Sequence, residues 1–166
     1  MTITVEDGSI VAGANSYVSL ADAWDYAQAR GVTLPTDDAE IEALIIRAMD
    51  YLESFDGRFK GDRVERDQPL SWPRDGVLIE AWPWRSDEIP RQVLNAQLAL
   101  IIEIQNGEDP FNPSRATLPV VRERIEGAVE VEYANPGQSL KVSKTQASKT
   151  IINTLLRNSG LFAVRA

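Results

Sequence analysis

The sequence predicts a mainly α fold: a small bundle of three to four helices with a short β element, extended loops and a C-terminal tail. Three observations lead there. Apolar residues recur with helical spacing in separate stretches around 20–27, 41–55 and 151–156. Two of these stretches open on polar residues at capping-box spacing. Strand-like alternation is confined to short runs near the start and near 125–133. The 166 residues fit one domain, large enough to bury about 70% of its unfolded surface.

Residues 2–6 alternate β-branched with polar side chains and end at Asp7-Gly8, the pattern of a short strand entering a turn. Ser19 is placed to cap a helix, with Asp22 three residues on. Leu20, Ala23, Trp24 and Ala27 share one face of it, and Gly31 closes it. Asp37 and Glu40 repeat the cap signature. The apolar positions Ile41, Leu44, Ile45, Ala48, Leu52 and Phe55 then hold the helical period for about four turns. The acids Asp37, Asp38, Glu40 and Glu42 suit the positive end of that helix dipole and are read as capping and solubility rather than as a metal site.

Residues 67–90 hold three of the four tryptophans, Trp72, Trp82 and Trp84, and four of the nine prolines. Such a stretch is neither one regular helix nor a central strand. It is either a packed clasp over a helical core or a docking surface, because aromatics of that size are buried or used for contact. Pro90 suits the first turn of the next helix, with Asp87 or Glu88 near its cap. That helix runs to Asn106-Gly107, and its middle, 93–102, is apolar on nearly all sides, so it should be buried all round. Beyond Asp109-Pro110, the alternation of Val129, Val131 and Tyr133 with Glu130 and Glu132 reads as a strand with one wet face. Ile151, Ile152, Leu155 and Leu156 mark an amphipathic helix over about 144–158. The tail that follows, including Leu161 and Phe162, is apolar enough to need a docking place. The organisation is thus a core over 1–133, carrying the loop 67–90 and a strand near 125–133, and a basic C-terminal helix and tail over 134–166.

Composition excludes much chemistry. The chain has no cysteine and no histidine, which removes disulfides, thiolate nucleophiles, imidazole catalysis and the usual zinc sites. No apolar run reaches membrane-spanning length, and the N-terminus lacks the features of a signal peptide; a soluble protein with an uncleaved N-terminus is expected. The segment 57–63 is not a phosphate-binding P-loop, since no Gly-Lys-Ser/Thr follows a strand. Ser143-Lys144 and Ser148-Lys149 are neighbours along a helix and point apart, so they make poor catalytic dyads. No catalytic, metal or cofactor-binding residue is assigned, and no enzyme activity is expected.

Charge is segregated. The net charge is −8, yet all 25 acids lie before Ala134, and the residues after it carry only the bases Lys141, Lys144, Lys149, Arg157 and Arg165. A basic end on an acidic body points to a partner. Trp72-Pro73-Arg74 and Trp82-Pro83-Trp84-Arg85 each set an indole near a guanidinium, the pairing that single-strand binders use for bases and phosphates.

Several of these motifs carry a resemblance: Val5-Glu6-Asp7-Gly8 with Ala14-Asn15-Ser16-Tyr17-Val18-Ser19, Gln68-Pro69-Leu70-Ser71-Trp72-Pro73-Arg74, Ile89-Pro90, and the run 125–133. Together they resemble tailed-bacteriophage proteins described as DnaT-like single-stranded DNA-binding proteins, and the head–tail connector, or head-completion adaptor, proteins. The connector resemblance implies a structural virion protein at the neck, assembled in the host cytoplasm. It would form a ring, dodecameric in such adaptors, between the portal protein and a downstream neck, stopper or tail protein. Duplex DNA would pass through without sequence-specific binding, an acidic body suiting such a channel, and no membrane would be involved. Candidate partner or ring contacts are Trp72, Arg74, Trp82, Trp84, Arg85, Lys141, Lys144, Lys149, Arg157, Leu161 and Phe162; Glu130 and Glu132 are candidates to face the channel. The DnaT-like resemblance implies instead single-strand binding through Trp72, Trp82 and Trp84 with Arg74 and Arg85. The sequence departs from the family pattern between Arg74 and Ile89, where it is longer and adds an aromatic hairpin at Trp82-Pro83-Trp84.

Overall fold

The structure, a computed structural model, describes residues 2–111 and 147–157. The expected strand near 125–133 lies outside the described residues, as do Glu130, Glu132, Lys141, Lys144, Leu161 and Phe162.

Among the described residues four α-helices form the body. Helix α1, Leu20–Gln28, opens on the anticipated capping box: Asp22 N–H donates to Ser19 Oγ (3.2 Å), and Ser19 N–H donates to Asp22 Oδ2 (2.8 Å). It rests on the core through Ala23 and Ala27. Trp24, expected on that face, is 36% exposed; close approach on two alanines leaves no room beneath the helix for an indole. Helix α2, Asp38–Glu53, is capped by Asp37, whose carboxylate accepts from Ala39 N–H (2.9 Å). Its buried face is the predicted stripe, extended by Met49 and Tyr51.

Helix α3, Arg91–Gln105, packs against α1, α2 and α4 and is the central rod. Its all-apolar middle has neighbours on several sides, as the sequence required. Pro90 itself is the N-cap residue, extended at φ −61°, ψ 137°, with no side-chain cap. The expected capping by Asp87 or Glu88 does not form, because the Asp87 carboxylate is held by Arg85. Gln97, fully buried in α3, accepts from Tyr17 N–H (3.0 Å) and donates to Ser16 Oγ (2.9 Å), tying the segment before α1 to the rod.

Helix α4, Ala147–Asn153, lies on α3. Ile152 and, just past the helix, Leu155 and Leu156 enter the same core as α2 and α3. Ser148 N–H (3.1 Å) and Oγ–H (2.6 Å) both donate to the Glu103 carboxylate on α3.

The N-terminal segment makes one isolated parallel bridge, Val5 to Ser16, rather than the expected strand. Its backbone instead wraps a side chain: buried Glu6 accepts from the N–H groups of Gly8, Ile10 and Val11 at 2.8–2.9 Å. Among the described residues two short antiparallel ladders form, β1 (Asp62–Arg63) with β2 (Arg74–Asp75) and β3 (Leu78–Ile79) with β4 (Trp82–Pro83). In the first ladder Asp62 stands opposite Asp75 and Arg63 opposite Arg74, a like-on-like register that costs stability unless neutralised. Asp56 bridges both arginines (3.2 and 3.0 Å), and Arg157 reaches Asp62 (3.2 Å).

Candidate nucleic-acid interface

The Trp/Pro-rich stretch divides into two parts with opposite roles. Its first part is a clasp. Trp72 is 0% exposed, its ring packs edge-on against Phe59 at 5.7 Å, and its backbone N–H donates to Tyr17 Oη (2.9 Å). The Trp72–Pro73 peptide is cis. Arg74 is 5% exposed, and its donors are spent on the carbonyls of Lys60, Gly61 and Ser71 and on Asp56. Trp72 and Arg74 were candidates for partner or strand contact; the structure corrects this, since a ring inside the core offers no face to a base and a buried guanidinium with four of its five donors engaged inside the chain is turned away from a phosphate.

A polar knot fixes the clasp to α2. Glu53 accepts from Ser71 N–H (3.0 Å), Ser71 Oγ–H (2.8 Å) and Tyr17 Oη–H (3.2 Å). Burial pushes the Glu53 carboxyl above its ordinary value, against the downward pull of those hydrogen bonds. Burial, joined by the negative charge of Glu53, likewise pushes the Tyr17 phenol up.

The second part is a presented hairpin. Strands β3 and β4 are joined by Glu80 and Ala81, both left-handed at φ 51° and 69°. Turns of this kind favour glycine or asparagine, and a side chain there costs roughly 1–2 kcal/mol per residue. Leu78 pairs with Pro83 and Ile79 with Trp82. Side chains alternate along a strand and agree across a pair, so Leu78 and Trp82 leave opposite faces. They are 55% and 77% exposed. Trp84 is half-buried: its backbone N–H donates to Val77 O (2.8 Å), and its indole N–H donates to Glu88 O (3.0 Å), anchoring the hairpin's base. Arg85 is exposed but gripped by both carboxylate oxygens of Asp87 (3.0 and 2.7 Å). That hydrogen bonding holds the Asp87 carboxyl below its ordinary value and the Arg85 guanidinium above its own.

Beside the hairpin runs a basic seam that the sequence scatters widely. Lys60 N–H donates to Leu155 O (3.0 Å), Phe59 bridges Leu156, and Arg157 N–H donates to Arg58 O (2.7 Å). Arg58, Lys60 and Arg157 are thereby drawn together; Lys149, on α4, is half-exposed. Acids thread the seam, notably Asp62 with Arg157. Lys60, Gly76, Leu78, Glu80 and Ala81 line an open groove of about 540 Å³ between seam and hairpin. Arg58, Lys60 and Leu78 are not among the contacts expected from the sequence. The joining residues lie more than 90 positions apart, and no local signal reports such a pairing.

Among the described residues, no group of three acidic side chains could hold a metal ion, and no helix is long and apolar enough to cross a membrane.

These features define a small mainly α domain that presents an aromatic hairpin beside a basic seam. The chain belongs to the family described as "Putative DnaT-like ssDNA binding protein", which it matches over residues 1–166. No curated protein and no solved structure is similar enough to match it.

Proposed function

We propose that the protein binds single-stranded DNA without enzymatic turnover, through the Trp82 hairpin and the seam formed by Arg58, Lys60 and Arg157. The observation that carries this reading is the 77% exposure of Trp82 on an anchored hairpin, next to a groove that Lys60 lines. Exposed aromatic rings stack bases without regard to sequence, and nearby cations follow the backbone. Family membership along the whole chain supports it. The test is titration of the full chain with a fluorescent oligothymidine strand at several salt concentrations. Affinity should fall as salt rises, tryptophan emission should be quenched, and Trp82→Ala should weaken binding. Absence of binding at low salt would end this reading.

A second reading is favoured by a different observation: among the described residues acids outnumber bases, a poor surface for nucleic acid but a good lining for a DNA passage. In it the chain is a phage head–tail adaptor, a virion neck protein forming a ring between the portal and a tail-side protein. The hairpin would then pack against a neighbouring subunit, and Lys149 and Arg157 would face the portal. Light scattering of the protein alone and with its portal separates the two readings: a ring-on-portal mass supports the adaptor, and no association counts against it.

A further inference from the structure

We infer that the β3–β4 hairpin acts as a wedge that separates two successive bases of a bound strand, Trp82 taking one base and Leu78 the next. The inference rests on the single-strand reading and adds to it a mode of binding. A side chain meant only to stack one base needs one exposed face. This hairpin exposes an apolar side chain on each face, which the register of Leu78 with Pro83 and Ile79 with Trp82 requires. Apolar side chains inserted between adjacent bases are an established way of unstacking nucleic acid.

The tip is built for insertion. Glu80 and Ala81 hold a narrow two-residue turn in left-handed backbone, and strain of that kind collects where function requires a fixed shape. The base is held by the Trp84 N–H to Val77 O bond and by the indole N–H of Trp84 on Glu88 O. Ile79, paired with Trp82 and leaving the same face of the hairpin, is buried in the core, so that face is pinned to the body beside the exposed indole. On the Leu78 face the groove reaches Lys60, whose ammonium holds Thr154 O at 2.7 Å with one N–H and carries two further donors for a phosphate. Glu80 at the tip opposes a backbone running over the end of the hairpin and favours a path along the Lys60 side.

The probe is an oligothymidine strand of about 15 nucleotides, within the span such sites cover, carrying two adjacent 2-aminopurines. Stacked on each other, the two give an exciton-coupled circular dichroism band. Saturating wild-type protein should abolish that band. Leu78→Ser, compared at saturation, should restore most of the band, and Trp82→Ala should weaken binding by roughly 5- to 100-fold. Both substitutions fall on exposed side chains, and thermal unfolding will show that the fold is retained. Binding that leaves the band intact overturns the wedge while sparing single-strand binding. Failure to bind any single strand overturns both.

Discussion

The phenol of Tyr17 donates to Glu53 Oε1 at 3.2 Å while accepting from the backbone N–H of Trp72 at 2.9 Å, so one hydroxyl joins the approach to α1, the end of α2 and the clasp. Tyr17→Phe leaves the Trp72 N–H without this acceptor in a buried place, a loss of about 1–3 kcal/mol. A urea melt should show the midpoint falling at unchanged slope. Glu53 adds a pH signature. Its folded carboxyl titrates above the ordinary 4.5, so its contribution to stability is complete below that value and is lost as pH rises through the folded one. Glu53→Gln should flatten that part of the stability profile.

Asp56 has the opposite sign. Partial burial pushes its carboxyl up, but hydrogen bonds from Arg63 and Arg74 together with the charge of Arg63 outweigh it and hold the group below 3.8. Its contribution is present above that value and is lost as pH falls through the folded one. Asp56→Asn should lower stability at neutral pH and weaken the acid dependence over the pH window at and below the ordinary 3.8. Thermal melts across that window provide the measurement.

Gly61 and Gly57 form a matched contrast. Gly61 has φ +68°, and a Cβ there would lie 2.2 Å from Asp75 O and 2.6 Å from a methyl of Val77. Gly61→Ala should cost more than about 2 kcal/mol. At Gly57 a Cβ meets nothing within 4 Å, so Gly57→Ala should be neutral or stabilising by up to about 1 kcal/mol. Chemical denaturation of both variants decides this.

Ser148 is the side-chain tie between α4 and α3. Ser148→Ala removes the 2.6 Å bond to Glu103, a charge-assisted contact of about 1.5–3 kcal/mol. Amide hydrogen exchange should quicken in α4 and in residues 154–157, with α2 unchanged.

What the sequence made legible was local. The caps at Ser19 and Asp37 involve partners within three residues. The stripe of α2 and the stop at Asn106-Gly107 follow from periodicity and from one glycine at φ 84°. An aromatic hairpin was also anticipated, from the extra Trp82-Pro83-Trp84. What stayed hidden was which tryptophan faces water. Trp72-Pro73 and Trp82-Pro83 look alike in sequence, yet one is buried and the other exposed, because Phe59 and Tyr17 close over the first from 13 and 55 positions away. Arg74 and Arg85 diverge in the same manner. The hairpin turn itself is Glu80-Ala81, without the Asn-Gly that would have announced it. Gln97 sits mid-helix among apolar residues, and its partners come from segments 52 and 81 positions away.

The like-on-like ladder of β1 and β2 bears on how the chain is made. Asp62 and Asp75 face each other, and Arg157, 95 positions downstream of Asp62, supplies the compensating charge. During synthesis from the N-terminus, at roughly 5–20 residues per second, this corner waits several seconds for its counter-charge. A nascent chain that has not yet reached Arg157 therefore carries a complete α1–α2–α3 body in which Asp56 already serves the Arg63–Arg74 pair while the Asp62–Asp75 pair still awaits its counter-charge.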